Sequence, residues 1–176
     1  MRLLPICLLL SMLAMPMTAS AQDAAAEPAS TADDVAPDAT LWAPRTGDAW
    51  VDTWLADLNL YAERYADAFV DELVRYRSAP RPLVEQMMAD EAWRPADIYV
   101  ACATAQALGR TCREVAAAWR RDHAQGWADV VERLDAERHG EALTRVKRGL
   151  IESYDRWARP IRLDASLRRA FPDRGA

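Results

Sequence analysis

An all-α domain is the fold class this sequence predicts, and three observations carry that expectation. Apolar residues recur at spacings of three and four from Trp50 to Phe171. Proline, glycine and capping residues punctuate the pattern at helix-sized intervals. No segment keeps the period-two alternation of a half-buried strand. The expected architecture is an irregular orthogonal array of five to seven helices with a long first helix and no sheet, formed by residues 48–176.

Two segments precede that body. Met1-Arg2 gives a positive start, Leu3 to Leu13 is an apolar run, and Ala19-Ser20-Ala21 is a small-residue cleavage site. Together they have the form of a secretory signal peptide cleaved after Ala21. The apolar run is too short to span a bilayer. Residues 22–47 are dominated by Ala, Pro, Asp, Ser and Thr and predict a flexible acidic tether. Leu41-Trp42-Ala43 is its one sticky point, with Trp42 able to fold back on the body. The expected location is periplasmic or secreted, with no transmembrane segment in the mature chain.

The first helix begins after Asp48, a good N-cap, with Asp52 in its first turn. Its stripe is Trp50, Trp54, Leu58, Tyr61, Tyr65, Phe69, Leu73 and Tyr76, and Ser78-Ala79-Pro80-Arg81-Pro82 ends it. That length allows a break near Asn59. A short second helix follows with Leu83, Val84, Met87 and Met88. Pro95 opens a third carrying Ile98, Ala101, Cys102, Ala105 and Leu108, and Gly109 closes it. Thr111 to Glu114 form a capping box for a fourth, with Cys112, Val115, Ala116 and Trp119. Gly126 precedes a fifth, with Trp127, Val130, Val131 and Leu134. The sixth carries Leu143, Val146, Leu150, Ile151, Tyr154 and Trp157. A last turn spans Ala165 to Ala170, capped by Asp164, with Leu167 and Phe171 inward.

Charge is unevenly placed. The formal charge is −5, yet residues 49–99 carry ten acids and five bases while 138–176 carry five acids and ten bases. The plainer consequence is that the two halves dock on one another. The sharper one is a basic face for anionic envelope polymers or lipid head groups. Arg145, Lys147, Arg148, Arg156, Arg159 and Arg162 are the candidate binding residues. Arg145, Arg148, Arg156 and Arg159 fall off the apolar stripe and are expected to reach solvent.

Cleavage of the leader removes Cys7 and leaves Cys102 and Cys112. An even count in an oxidising compartment predicts one disulfide. Bridging requires Cα atoms within about 7 Å, which a steep crossing at the Gly109 turn or an early end to the third helix would allow. Ala105, Gly109 and Val115 have the spacing of a DNA-binding helix-turn-helix. Export and the acidic balance oppose a nucleic-acid partner.

All seven tryptophans lie beyond the leader. Five sit on helical stripes and read as core. Trp42 and Trp93 sit in linkers and are the candidates for surface contact. Asp57, Glu63, Asp67, Asp71 and Glu72 crowd the first helix. An acid/base pair among them needs one carboxyl shielded from solvent. His123 and His139 do not share metal-ligand spacing, and the serine-hydrolase, zinc-protease and phosphate-loop motifs are absent. No cofactor and no metal are expected.

Gln125-Gly126-Trp127, Val130, Leu134, Val146 and Lys147 resemble a Gly-Trp…Leu…Leu-Lys helical module of exported all-helical proteins of proteobacteria. Thr144 stands where that module carries a histidine. The resemblance implies an exported helical protein and brings no assigned activity. Small helical periplasmic stress chaperones carry repeated Leu-Thr-x-x-Gln motifs. Here Leu143-Thr144 is followed by Arg145-Val146-Lys147, so only the idea of a helical partner-binder carries over. The expected function is a non-catalytic interaction or envelope-associated domain whose partner is an envelope protein or anionic envelope polymer. The alternative is a small glycan-directed envelope hydrolase using first-helix carboxylates.

Overall fold

The structure is a computed structural model and describes residues 42–174. The leader and residues 22–41 of the tether lie outside the described residues. Eight α-helices follow in order: α1 (Ala49–Arg64), α2 (Ala66–Tyr76), α3 (Arg81–Met88), α4 (Pro95–Leu108), α5 (Cys112–Arg121), α6 (Trp127–Asp135), α7 (His139–Arg156) and α8 (Ala165–Ala170). A 3-10 turn, Pro172–Arg174, closes the described chain. No strand occurs among the described residues. None of their helices is long and apolar enough to cross a membrane.

The expected long first helix is two helices, and the break falls at Tyr65 rather than near Asn59. Tyr65 (φ −130°, ψ 53°) donates its N–H to the Tyr61 carbonyl and accepts the Phe69 N–H at its own carbonyl. This one-residue interruption re-aims the chain. α1 packs on α4, while α2 packs on α3 and α1. The buried face also differs from the expected stripe. Leu58, Tyr61, Phe69 and Leu73 are buried as expected, but Val51, Leu55 and Ala62 are fully buried from outside that stripe, and Trp50 and Trp54 are only half-buried on the rim. Tyr65 and Tyr76 are exposed.

α4 is the central helix. It packs against α1, α3, α5, α6 and α7, and 12 of its 14 residues are buried. Its alanines let the neighbouring helices approach closely. Gly109 ends it in the left-handed conformation (φ +67°), and the Arg110 N–H reaches back to the Ala105 carbonyl at 2.8 Å. Thr111 and Glu114 then form the reciprocal capping box of α5. This tight turn brings the Cys102 and Cys112 Cα atoms to 4.4 Å, and the two cysteines are disulfide-bonded within the core.

The tether reads to residue 47 in the sequence, but residues 42–47 are part of the body. The Trp42 indole donates to Asp97 at 3.0 Å, and Pro44 and Thr46 are buried. The Pro44 and Arg45 carbonyls accept the first backbone N–H groups of α6, from Trp127 and Ala128. Gly126 makes this possible. A Cβ there would lie 2.5 Å from the Arg45 Cβ and 2.9 Å from the Pro44 carbonyl. The Gly-Trp pair thus has a structural role, since Trp127 is buried, stacks on Trp119 at 4.1 Å and donates to Asp97 at 2.8 Å. Burial pushes the Asp97 carboxyl above the usual range, and the two indole N–H groups partly offset that shift.

Candidate functional site

Ion pairs within the body consume three of the six basic residues singled out from the sequence, and two of them, Arg156 and Arg159, join the acidic front half to the basic back half. Arg156 makes a two-pronged pair with Glu72, 2.9 Å from Nε, and Glu72 is only 3 % exposed. Arg159 pairs with Asp57 at 3.0 Å and lies over the Tyr61 and Tyr154 rings. The Tyr154 hydroxyl donates to the same Asp57. Lys147 is 2.7 Å from both Asp48 and Asp164, with its side chain only 12 % exposed. Burial opposes its charge, but the two carboxylates hold its pKa above the ordinary value. These residues are structural, because a basic side chain leaving an apolar stripe still reaches acids on a neighbouring helix. Arg162 is exposed and offers its carbonyl to the Trp50 indole.

Arg145 and Arg148 remain. Both line a cleft of about 500 Å³ along α4 and α7, with Arg77, Gln106, Glu141, Thr144 and Glu152. Arg145 is paired with Glu141 at 2.9 Å. Arg148 is exposed and makes no ion pair or hydrogen bond among the described residues. Arg77 sits deepest, at 7 % exposure. Its guanidinium donates to the Gly149 carbonyl at 2.8 Å, the Tyr99 hydroxyl at 2.9 Å and the Ser153 hydroxyl at 3.2 Å. Longer bonds reach the Tyr76 carbonyl (3.2 Å) and Gln106 Oε1 (3.4 Å). Every one of these acceptors is a neutral oxygen. Nε has no partner at all among the described residues.

Gly149 is what admits the guanidinium. A Cβ there would stand 2.7 Å from Nη2 and 3.1 Å from Cζ of Arg77. Ser153 links Arg77 to the Glu72–Arg156 pair, donating to Glu72 at 2.6 Å. Glu72 is thus bonded directly to the Arg156 guanidinium alone, and Arg77 reaches it only through the Ser153 hydroxyl. A second cleft of about 480 Å³ shares Arg77 and Gln106 with the first and adds Arg110 and Arg113.

Three of the six carboxylates of α1 and α2 pair with bases, Asp57 with Arg159, Asp71 with Arg75 and Arg81, and Glu72 with Arg156, while Asp52, Glu63 and Asp67 make no ion pair among the described residues. Asp57 and Glu63 do line a third cleft, of about 450 Å³, with Trp42, Asn59, Leu60 and Arg94. Trp93 is not a surface residue. It is 5 % exposed and packs in the core, because the short turn after α3 folds it inward with its N–H on the Asp90 carbonyl. His123 stacks on Trp119, and its Nδ1 lies 2.9 Å from the Trp119 carbonyl oxygen. No group of three or more His, Cys, Asp and Glu able to hold a metal occurs among the described residues.

No family model, curated protein or solved structure matches this chain. The sequence signal for Arg145 and Arg148 was helical phase. Arg77 carries no such signal, since the side chains that hold it come from α4 and α7. Only its contact with Gly149, 72 residues away, reveals its role.

Proposed function

We propose that this chain is an exported, non-catalytic helical domain that binds an anionic partner of the cell envelope, either a protein or a polymer. The observation that supports this most is the cleft along α4 and α7, where Arg77 and Arg148 have no carboxylate partner while Arg145, Lys147, Arg156 and Arg159 are paired with acids. The Met1–Ala21 leader and the Cys102–Cys112 bond fit an oxidising location. The tight α4–α5 turn fits an irregular, steeply crossing helical array. The resemblance to exported all-helical proteins agrees with this reading, which includes no nucleic-acid partner.

A glycan-directed hydrolase is the second reading, favoured by the cleft that Asp57 and Glu63 share with Trp42. It is the weaker one. A general acid requires a carboxyl kept from cationic partners, and Asp57 is held by Arg159 and Tyr154. Capture of envelope fractions on the immobilised chain tests both readings. The wild-type chain is expected to retain anionic material, and Arg145→Glu/Arg148→Glu is expected to lose it. Equal capture by both proteins, or glycan cleavage that Asp57→Asn abolishes, overturns the binding reading.

A further inference from the structure

We infer that the α4–α7 cleft is a recognition site for an anionic sugar, with Arg77 and Arg148 receiving its oxyanion, either phosphate or carboxylate. The inference rests on the binding reading above and names its ligand. Arg77 is the anchor. A guanidinium this buried normally sits against a carboxylate, because an uncompensated charge in the interior is costly. Here every hydrogen bond it makes ends on a neutral oxygen, and Nε has no partner. The nearest carboxylate route runs through Ser153 to Glu72, which Arg156 already neutralises. The site is thus short of one negative charge, and it opens onto the cleft.

Arg148 supplies the second cation on the same cleft, with no internal partner. The local balance points the same way. The Arg145–Glu141 pair cancels, leaving Arg77 and Arg148 against Glu152. Guanidinium groups recognise phosphate and carboxylate through paired, charge-assisted hydrogen bonds. Gln106 holds Arg77 only by a 3.4 Å bond, so an incoming oxyanion can replace it. The volume exceeds what an inorganic ion fills and lies in the range of small-ligand sites. Gln106, Thr144 and Glu152 present amide, hydroxyl and carboxylate groups for a hydroxylated body. Ala103 and Ala107 give the cleft an apolar floor suited to a sugar's C–H face.

Isothermal titration of the full chain with glucose 6-phosphate, glucuronate and neutral glucose tests this. The expected result is binding of one or both anionic sugars and none of glucose. Arg148→Glu should weaken it about tenfold or more, and Arg148→Lys should retain part of it. Arg148 is exposed, so these variants should keep the wild-type melting profile. Gly149→Ala gives a second handle, because it displaces Arg77 without touching Arg148. No binding of either anionic sugar, equal binding of glucose, or binding indifferent to both Arg148→Glu and Gly149→Ala overturns the inference. Envelope capture that survives Arg148→Glu but is lost in Arg145→Glu/Arg148→Glu would remove this site while leaving the broader binding reading intact.

Discussion

Opening the Cys102–Cys112 bond should lower the stability of the helical body by about 2.7 kcal/mol. The two residues are ten apart in sequence. Closing a loop of about ten residues removes roughly 9 cal/mol/K from the unfolded chain, or about 2.7 kcal/mol at 25 °C. The native side of the balance should change little. The turn between α4 and α5 is held separately by the left-handed Gly109 cap and by the Thr111–Glu114 capping box. Both sulfurs are buried, at 0 % and 5 % exposure, where reduced thiols pack as small apolar groups. A body of about 130 residues unfolds with an entropy near 0.28 kcal/mol/K, so the midpoint should fall by about 10 °C. Thermal unfolding followed by far-ultraviolet circular dichroism, oxidised against dithiothreitol-reduced, measures this. A shift below about 3 °C would refute the loop-closure reasoning. Labelling of both cysteines in the unreduced, urea-unfolded chain would show that the bond is not there.

Gly149→Ala reverses the usual gain of removing a helical glycine. The added methyl meets the Arg77 guanidinium at 2.7 Å, so a loss of about 1–3 kcal/mol in urea unfolding is expected. Arg156→Met strands Glu72 at 3 % exposure, and Ser153 alone cannot neutralise it. A loss of about 3 kcal/mol is expected from denaturant midpoints, and Glu72→Gln/Arg156→Met should recover part of it. The Lys147 cluster predicts a two-sided pH profile. Lys147 is raised above 10.5, so its contribution is present below that value and lost as pH rises past the folded one. Burial pushes the Asp164 carboxyl upward, but Lys147, Ser166 and the Leu167 N–H hold it well below 3.8. Its contribution is present above 3.8 and lost as pH falls. Lys147→Met should flatten both limbs of a stability–pH curve and cost about 1–2 kcal/mol near neutrality.

Much of the helical scaffold was legible because its boundaries carry explicit chemistry. Asp48, Thr111 and Asp164 cap α1, α5 and α8 with their side chains, as their residue types announce. The stripes of α5 and α7 fall on buried faces because their apolar periodicity is one-sided, whereas α4 is apolar and buried almost all round. The Tyr65 break was not legible. No proline or glycine marks it, and the stripe runs through it in helical phase, so only the packing of α2 against α3 fixes it. In α1 the large indoles are not the most buried apolar residues. Trp50 and Trp54 pack on the rim while Val51 and Leu55 fill the core.

The charge asymmetry was visible in the sequence, and so was the possibility that the halves dock. Which bases they consume depends on pairs 84 to 102 residues apart, such as Glu72–Arg156 and Asp57–Arg159. Helical phase cannot supply that information. The same limit hid Arg77, whose partners come from α4 and α7.

Site-specific photocrosslinking from position 148 of the full chain, in cells that express it, tests the central claim most directly. Position 60 on α1, where Leu60 is 67 % exposed, is the control. Adducts to an anionic envelope component from position 148, and none from position 60, are predicted. Equal adducts from both positions, or adducts only from position 60, would contradict recognition at the arginine cleft.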